Sequence, residues 1–233
     1  MIVSRKVRSM RLLIALAISF GFPALAAGGW QLYPAQDPDP SLPNVLIIGD
    51  SICNGYRHTV VPKLKGKANV DAWVTPYHIA APQLLEQLRG HLAKKSYAII
   101  HFNHGLHGFG NRIPEGKYGE LLENYLVEMR KAAPQAKIIW CATTPVNQKG
   151  DNAVLDPVMN PVVIERNAIA ADIMKKHNVP VTDLYTLVAG KPELRAKPED
   201  QYHYNGKGTK LQGEFIADVL EKALAALQQE NKQ

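Results

Sequence analysis

Eight residues, Asn44-Val45-Leu46-Ile47-Ile48-Gly49-Asp50-Ser51, constrain this chain most. Val45 to Ile48 is a short, unbroken, β-branched-rich apolar run ended by a glycine, the pattern of a strand buried on both faces. Nothing from Ile52 to Lys63 reads as a second strand. Ser51 is therefore expected at the C-terminal lip of a buried strand, at the start of a loop or helix. In open parallel sheets that lip is where ligands bind. A helix starting there would aim free N–H groups and a positive dipole end at the serine. The same residues also fit a plainer purpose, with Asp50 and Ser51 capping a helix.

The first 26 residues read as an export signal rather than fold. Arg5, Lys6, Arg8 and Arg11 form a basic start. Leu12 to Phe22 is mostly apolar but short for a bilayer, and Ala24-Leu25-Ala26 is a small-x-small cleavage site. The expectation is an exported protein, periplasmic or extracellular, with no stable membrane insertion once the signal is removed. That segment holds four of the 27 Lys+Arg and none of the 21 Asp+Glu, so the remainder carries only about +2 of the formal +6. No basic cluster with interleaved aromatics follows, which argues against a nucleic-acid partner.

Residues 27–43 read as a linker, with four prolines, Asp37, Asp39 and no periodicity. It is expected to lie over the domain surface or to be mobile. From Asn44 to the C-terminus at residue 233, short apolar runs alternate with helical spacing. The runs are Val45–Ile48, Val70–Val74, Tyr97–Phe102, Lys137–Ala142 and Val179–Leu184. Helical faces are read at Leu84, Leu85, Leu88 and Leu92; at Leu121, Leu122, Tyr125, Leu126 and Met129; at Val163, Ile164, Asn167, Ile169, Ala170, Ile173 and Met174; and at Leu211, Phe215, Ile216, Val219, Leu220 and Leu224. Such alternation implies βαβ units, a parallel sheet and helices on both faces, in one α/β domain. The two cysteines, Cys53 and Cys141, flank strand ends and read as half-buried thiols rather than a disulfide. The eight histidines are scattered without metal-ligand spacing.

Three polar stretches break the pattern at or beyond strand ends: Gly49-Asp50-Ser51, His101-Phe102-Asn103-His104-Gly105-Leu106-His107, and Asp200-Gln201-Tyr202-His203. Together they form a coherent chemical set. A serine hydroxyl needs a base, a histidine near neutral pH needs an acceptor to fix its tautomer, and an asparagine amide can donate to an oxyanion. Asp200 lies three residues before His203, so one tight turn can hold the imidazole.

In order and separation, Gly49-Asp50-Ser51-Ile52, Asn103 after a central strand and Asp200-x-x-His203 before the last helix resemble the SGNH/GDSL hydrolase superfamily, from Asn44 to about Leu227. The resemblance implies a flavodoxin-like three-layer α/β/α sandwich with a parallel central sheet. It implies Ser51 as nucleophile, His203 as general base and Asp200 as its partner. The oxyanion hole would use the Ser51 N–H, the Asn103 side chain and a further backbone N–H. Two departures stand out. The family's glycine after the second strand is missing from Val74-Thr75-Pro76-Tyr77-His78, so Tyr77 or His78 would supply that N–H. His101 and His104 flank Asn103 where the family usually has Gly and Asp.

Asp50, His104 and His107 are the remaining pocket candidates. His101, inside an apolar run, reads as a satisfied core polar group. Trp73 and Trp140 read as packed strand residues, although they and Tyr202 have the rings to stack on a sugar. The expectation is an exported serine esterase acting on a small-molecule or glycan ester, with O-acetyl groups on a carbohydrate the substrate in view and no metal or cofactor needed. The alternatives are a lipid or lysophospholipid esterase, and a glycan- or ligand-binding protein of the same fold with degraded catalysis.

Overall fold

The computed structural model describes residues 30–230. The export signal expected at 1–26 lies outside the described residues. The chain runs β1 (Leu32–Tyr33), β2 (Asn44–Gly49), α1 (Ser51–Lys63), β3 (Asn69–Val74), α2 (Pro82–Leu92), β4 (Ile99–Phe102), α3 (Tyr118–Ala132) and β5 (Lys137–Cys141). It continues through the hairpin of β6 (Asn147–Gln148) and β7 (Asp151–Leu155), then α4 (Met159–Lys176), β8 (Val181–Thr182), α5 (Leu184–Val188) and α6 (Gly206–Glu230). Two short 3-10 turns, Leu106–Gly108 and Gly110–Arg112, follow β4.

The main sheet has the order β1-β3-β2-β4-β5-β8. The five strands from β3 to β8 pair in parallel, and β1 joins the edge antiparallel, setting Leu32 opposite Trp73. The parallel order is the flavodoxin-like one, in which connections leave the first strand in opposite directions. That reversal opens a crevice at the C-terminal end of β2, between the segments that follow β2 and β4.

The sheet is buried on both faces, and β2 shows why its run is unbroken. Val45 and Ile47 face one core with Tyr56, Val60, Ile216 and Leu220 from α1 and α6. Leu46 and Ile48 face the other with Leu84, Leu88, Leu122 and Leu126 from α2 and α3. Alternate side chains of a strand point to opposite faces, so a strand in a middle layer must be apolar at every position. Gly213 lets α6 lie close on α1: a Cβ there would come within 2.5 Å of Thr59 Cβ and 2.8 Å of the Tyr56 carbonyl oxygen.

Two local expectations change, and one element has no counterpart in the sequence reading. Part of the stretch read as a linker is the edge strand β1, whose Tyr33 ring lies 3.6 Å from the Arg57 guanidinium. The β6–β7 hairpin carries no core pattern, because its residues from Asp151 to Leu155 are mostly exposed. Ile164, read as part of a helical face, is exposed; Asn160, Val163, Ala170 and Met174 face inward on α4. Among the described residues no helix is long and apolar enough to cross a membrane.

Candidate active site

The β2-to-α1 junction places Ser51. Asp50 is the N-cap of α1, and its Oδ1 accepts from Ile52 N–H at 2.9 Å. Ser51 is thus the first helical residue, at the positive end of a 13-residue helix. Among the described residues its own N–H meets no acceptor. Asp50 is buried, and burial raises its carboxyl pKa, opposed by the neighbouring His107, the Ile52 N–H and His203. It was read both as a helix cap and as a pocket residue: its Oδ1 makes the cap, and it also lines a small cavity with Gly49 and Asn103.

His203 arrives from the loop before α6. The Asp200 carboxylate accepts the N–H groups of Tyr202 and His203 at 3.1 and 3.0 Å, closing a tight turn. The same carboxylate faces His203 Nδ1 at 2.8 Å through Oδ2. His203 Nε2 lies 2.7 Å from Ser51 Oγ. Burial pushes the Asp200 pKa up, but the two N–H groups and the imidazole outweigh it and hold the carboxyl below its usual range. A hydroxyl, an imidazole and a carboxylate in series at hydrogen-bond distance can draw a proton from the serine and hold the resulting imidazolium.

Residues without a sequence signal hold this loop. Arg195 and Tyr204 form an antiparallel bridge, and Ala196 N–H donates to the His203 carbonyl at 3.1 Å. The buried Arg195 guanidinium donates to the Pro145 and Gln201 carbonyls and lies 4.4 Å from the Tyr204 ring. Gln201 in turn donates to Asp156 Oδ2 at 2.9 Å. Arg195 sits in a Pro- and charge-rich stretch with no period, so its role shows only once Pro145 and Gln201 are brought together.

Asn103 leaves β4 beside β2, where its N–H donates to the Ile48 carbonyl at 3.0 Å. Its side-chain amide donates to the Cys141 carbonyl at 2.5 Å and faces Thr143 Oγ1 at 3.2 Å. Asn167 of α4 fixes that threonine through both its N–H and its carbonyl, at 2.9 Å each. Gly105 is needed here, since any Cβ would collide with the Thr143 side chain. Tyr77 and His78 sit beyond β3 at the same sheet edge, where Thr75 N–H donates to the Gly49 carbonyl at 2.9 Å. Tyr77 N–H is taken by Thr75 Oγ1 at 3.2 Å. His78 N–H meets no acceptor among the described residues.

The histidines of the β4 loop separate. His104 was read as a pocket residue, but it is buried against α3. Its Nε2 lies 3.2 Å from Tyr125 OH, its ring stands edge-on to Tyr125 at 5.1 Å, and burial lowers its pKa to about 3. His101 is fully buried, with Nε2 3.2 Å from Thr182 Oγ1 and a pKa lowered by burial to about 4. His107 stays half-buried at the rim, 5.3 Å edge-on from Trp30. Burial lowers its pKa first; Asp50 opposes that, while Arg112 and His203 add to it. Trp73 and Trp140 are packed in the strands. Both cysteines are free and buried, and burial pushes the Cys53 thiol up to about 12.

The sequence profile of the GDSL-like lipase/acylhydrolase family matches residues 47–211, from inside β2 to the first turns of α6. No curated protein matches the chain. Solved structures match in fold. A GDSL-like lipase from Bacteroides thetaiotaomicron VPI-5482 is 18% identical with a TM-score of 0.57, covering 81% of this chain and 92% of that one. A carbohydrate acetylesterase family member from Sinorhizobium meliloti is 15% identical with a TM-score of 0.62, covering 79% and 100%. An acetyl xylan esterase is 14% identical with a TM-score of 0.60, covering 76% and 99%. With the profile spanning both the Gly-Asp-Ser turn and the Asp200–His203 turn, the chain belongs to the GDSL-like lipase/acylhydrolase family and is a carboxylic ester hydrolase.

Proposed function

We propose that the protein is an exported serine esterase that cleaves a small ester, with O-acetyl groups on a carbohydrate the favoured class. The observation that carries the reading is the run from Ser51 Oγ to His203 Nε2 at 2.7 Å and from His203 Nδ1 to Asp200 Oδ2 at 2.8 Å. The acetyl xylan esterase and carbohydrate acetylesterase neighbours support the substrate class, and the signal-like residues 1–26 support export.

In this reading His203 Nε2 takes the Ser51 proton as Oγ attacks the ester carbonyl. The tetrahedral oxyanion is met by the Ser51 N–H and the Asn103 amide, with His78 N–H as the third donor in place of Tyr77. The imidazolium then gives its proton to the departing alcohol oxygen, leaving an acyl group on Ser51. Water activated by the same imidazole releases the acid and restores the serine. Turnover of p-nitrophenyl acetate, lost in step with covalent capture of Ser51 by a serine-directed phosphonate, is the expected result. Full turnover by the phosphonate-labelled protein would refute the reading.

Asn103 provides a separate test. To meet an oxyanion, its amide must exchange the longer contact to Thr143 Oγ1 while keeping the one to the Cys141 carbonyl. Asn103→Ala is expected to lower kcat by about 10²–10³-fold with KM little changed, because the interaction strengthens only in the transition state. Asn103→Asp sets a carboxylate against the oxyanion and should be worse. A lower melting temperature with unchanged kcat per folded molecule would reduce Asn103 to a tie between β4 and β5.

A further inference from the structure

The segment after β5 leaves the sheet but stays inside the protein. Ala142 N–H still donates to the Thr182 carbonyl at 2.9 Å, and Pro145 has no N–H to offer. Thr143, Thr144 and Val146 are nevertheless buried. Buried backbone groups need partners, and here the side chains of α4 supply several. Asn167 Oδ1 accepts the Thr143 N–H and Asn167 Nδ2 donates to the Thr143 carbonyl, both at 2.9 Å. Earlier on the same helix, Asn160 Oδ1 accepts the Val146 N–H at 3.1 Å. The spacing puts Asn167 on the stripe of α4 that carries the buried Val163, Ala170 and Met174. An amide in that stripe forgoes the apolar burial a leucine would supply. In exchange it clasps one residue by both of its backbone groups.

Thr143 in turn touches the Asn103 amide. Asn103 Nδ2 donates to the Cys141 carbonyl at 2.5 Å and faces Thr143 Oγ1 at 3.2 Å. A carbonyl only accepts, so the Cys141 contact fixes which end of the Asn103 amide is the NH2. The backbone is packed here as well. A Cβ on Gly105 would come within 1.8 Å of Thr143 Oγ1, so the loop that carries Asn103 lies directly on Thr143. A shift of Thr143 therefore moves the amide.

We infer that Asn167 is a positioning residue for the Asn103 amide, acting through Thr143. The inference rests on the serine esterase reading, in which Asn103 meets the oxyanion. Asn167 itself touches no reacting atom; it holds the segment against which Asn103 is aimed. Donation to an oxyanion depends steeply on geometry, and a misplacement of about 1 Å costs up to about 10²-fold.

A double-mutant cycle on p-nitrophenyl acetate, with kcat counted per folded molecule, tests this. Asn167→Ala should lower kcat about ten- to thirtyfold and leave KM within about twofold, because the lost interaction belongs to the transition state. In the Asn103→Ala background the same change should cost less than about twofold, since the amide it positions is gone. Asn167→Asp keeps an acceptor for the Thr143 N–H, which preserves the fold, but sets an oxygen against the Thr143 carbonyl. Its kcat should fall as that of Asn167→Ala does. Asn160→Ala loosens the same segment at Val146 and should lower the melting temperature while keeping kcat within about threefold of wild type.

An Asn167→Ala loss undiminished in the Asn103→Ala background would overturn the inference. So would wild-type kcat in folded Asn167→Ala and Asn167→Asp. An Asn160→Ala enzyme as slow as Asn167→Ala would overturn it too, by reducing both effects to general loosening of the segment. Wild-type kcat in Asn103→Ala would remove the oxyanion role and this inference with it. Turnover that survives Ser51→Ala would instead sink the esterase reading beneath both.

Discussion

Ser51→Ala abolishes the acyl-enzyme and lowers kcat on p-nitrophenyl acetate by about 10⁴–10⁶-fold, leaving only what binding and the oxyanion donors supply. The physical reason is that serine, imidazole and carboxylate act as one unit: without Oγ, His203 Nε2 has no proton to take. The variant should fold normally. Helix α1 is capped by Asp50 through Ile52 N–H, not by the Ser51 side chain, and alanine is the best helix former. Melting temperature and kcat measured on one preparation decide the point. A Ser51→Ala protein with unchanged melting temperature and activity within tenfold of wild type would remove Ser51 from the chemistry.

Asp200→Asn is the second large effect, a loss of about 10⁴-fold in kcat with the backbone geometry kept. Asp200 Oδ2 faces His203 Nδ1 at 2.8 Å and selects the tautomer with the proton on Nδ1. An amide that presents N–H to Nδ1 selects the opposite tautomer, whose Nε2 carries a proton toward Ser51 and takes none. The turn itself survives, because the Asn Oδ1 still accepts the N–H groups of Tyr202 and His203. The wild-type pH dependence has a definite sign. Since its partners hold the Asp200 carboxyl below its usual range, the carboxylate stays ionised while the imidazole protonates. Activity should therefore fall as pH falls, through loss of the base. A wild-type profile flat from pH 5 to 8 with chemistry rate-limiting, or an Asp200→Asn enzyme of near-normal kcat, would contradict this arrangement.

Elements with strong local signals were legible before the structure. The β2 run announces a doubly buried strand through its short length, its isoleucine and valine content and the glycine that ends it. The Asp200-x-x-His203 spacing announces a tight turn, and one carboxylate both closes it and faces the imidazole. Signals that depend on a partner were not legible. Leu32–Tyr33 reads as linker because an edge strand of two residues has no period, and only the exposed edge of β3 makes it a strand. His104 looks polar and loop-bound until Tyr125 of α3 arrives beside it with a hydroxyl.

The sequence by itself thus determined the parallel α/β architecture and the order in which Ser51, Asn103, Asp200 and His203 occur, because periodicity and turn chemistry are local properties. Only the tertiary structure decided that, among the described residues, Tyr77 N–H has an acceptor and His78 N–H meets none. Only it showed that Arg195 pins the histidine loop to Pro145. The Arg195 contact joins segments 50 residues apart in the chain. Whether a polar group is free, paired or buried depends on which neighbour the packing delivers, and no local pattern records that neighbour.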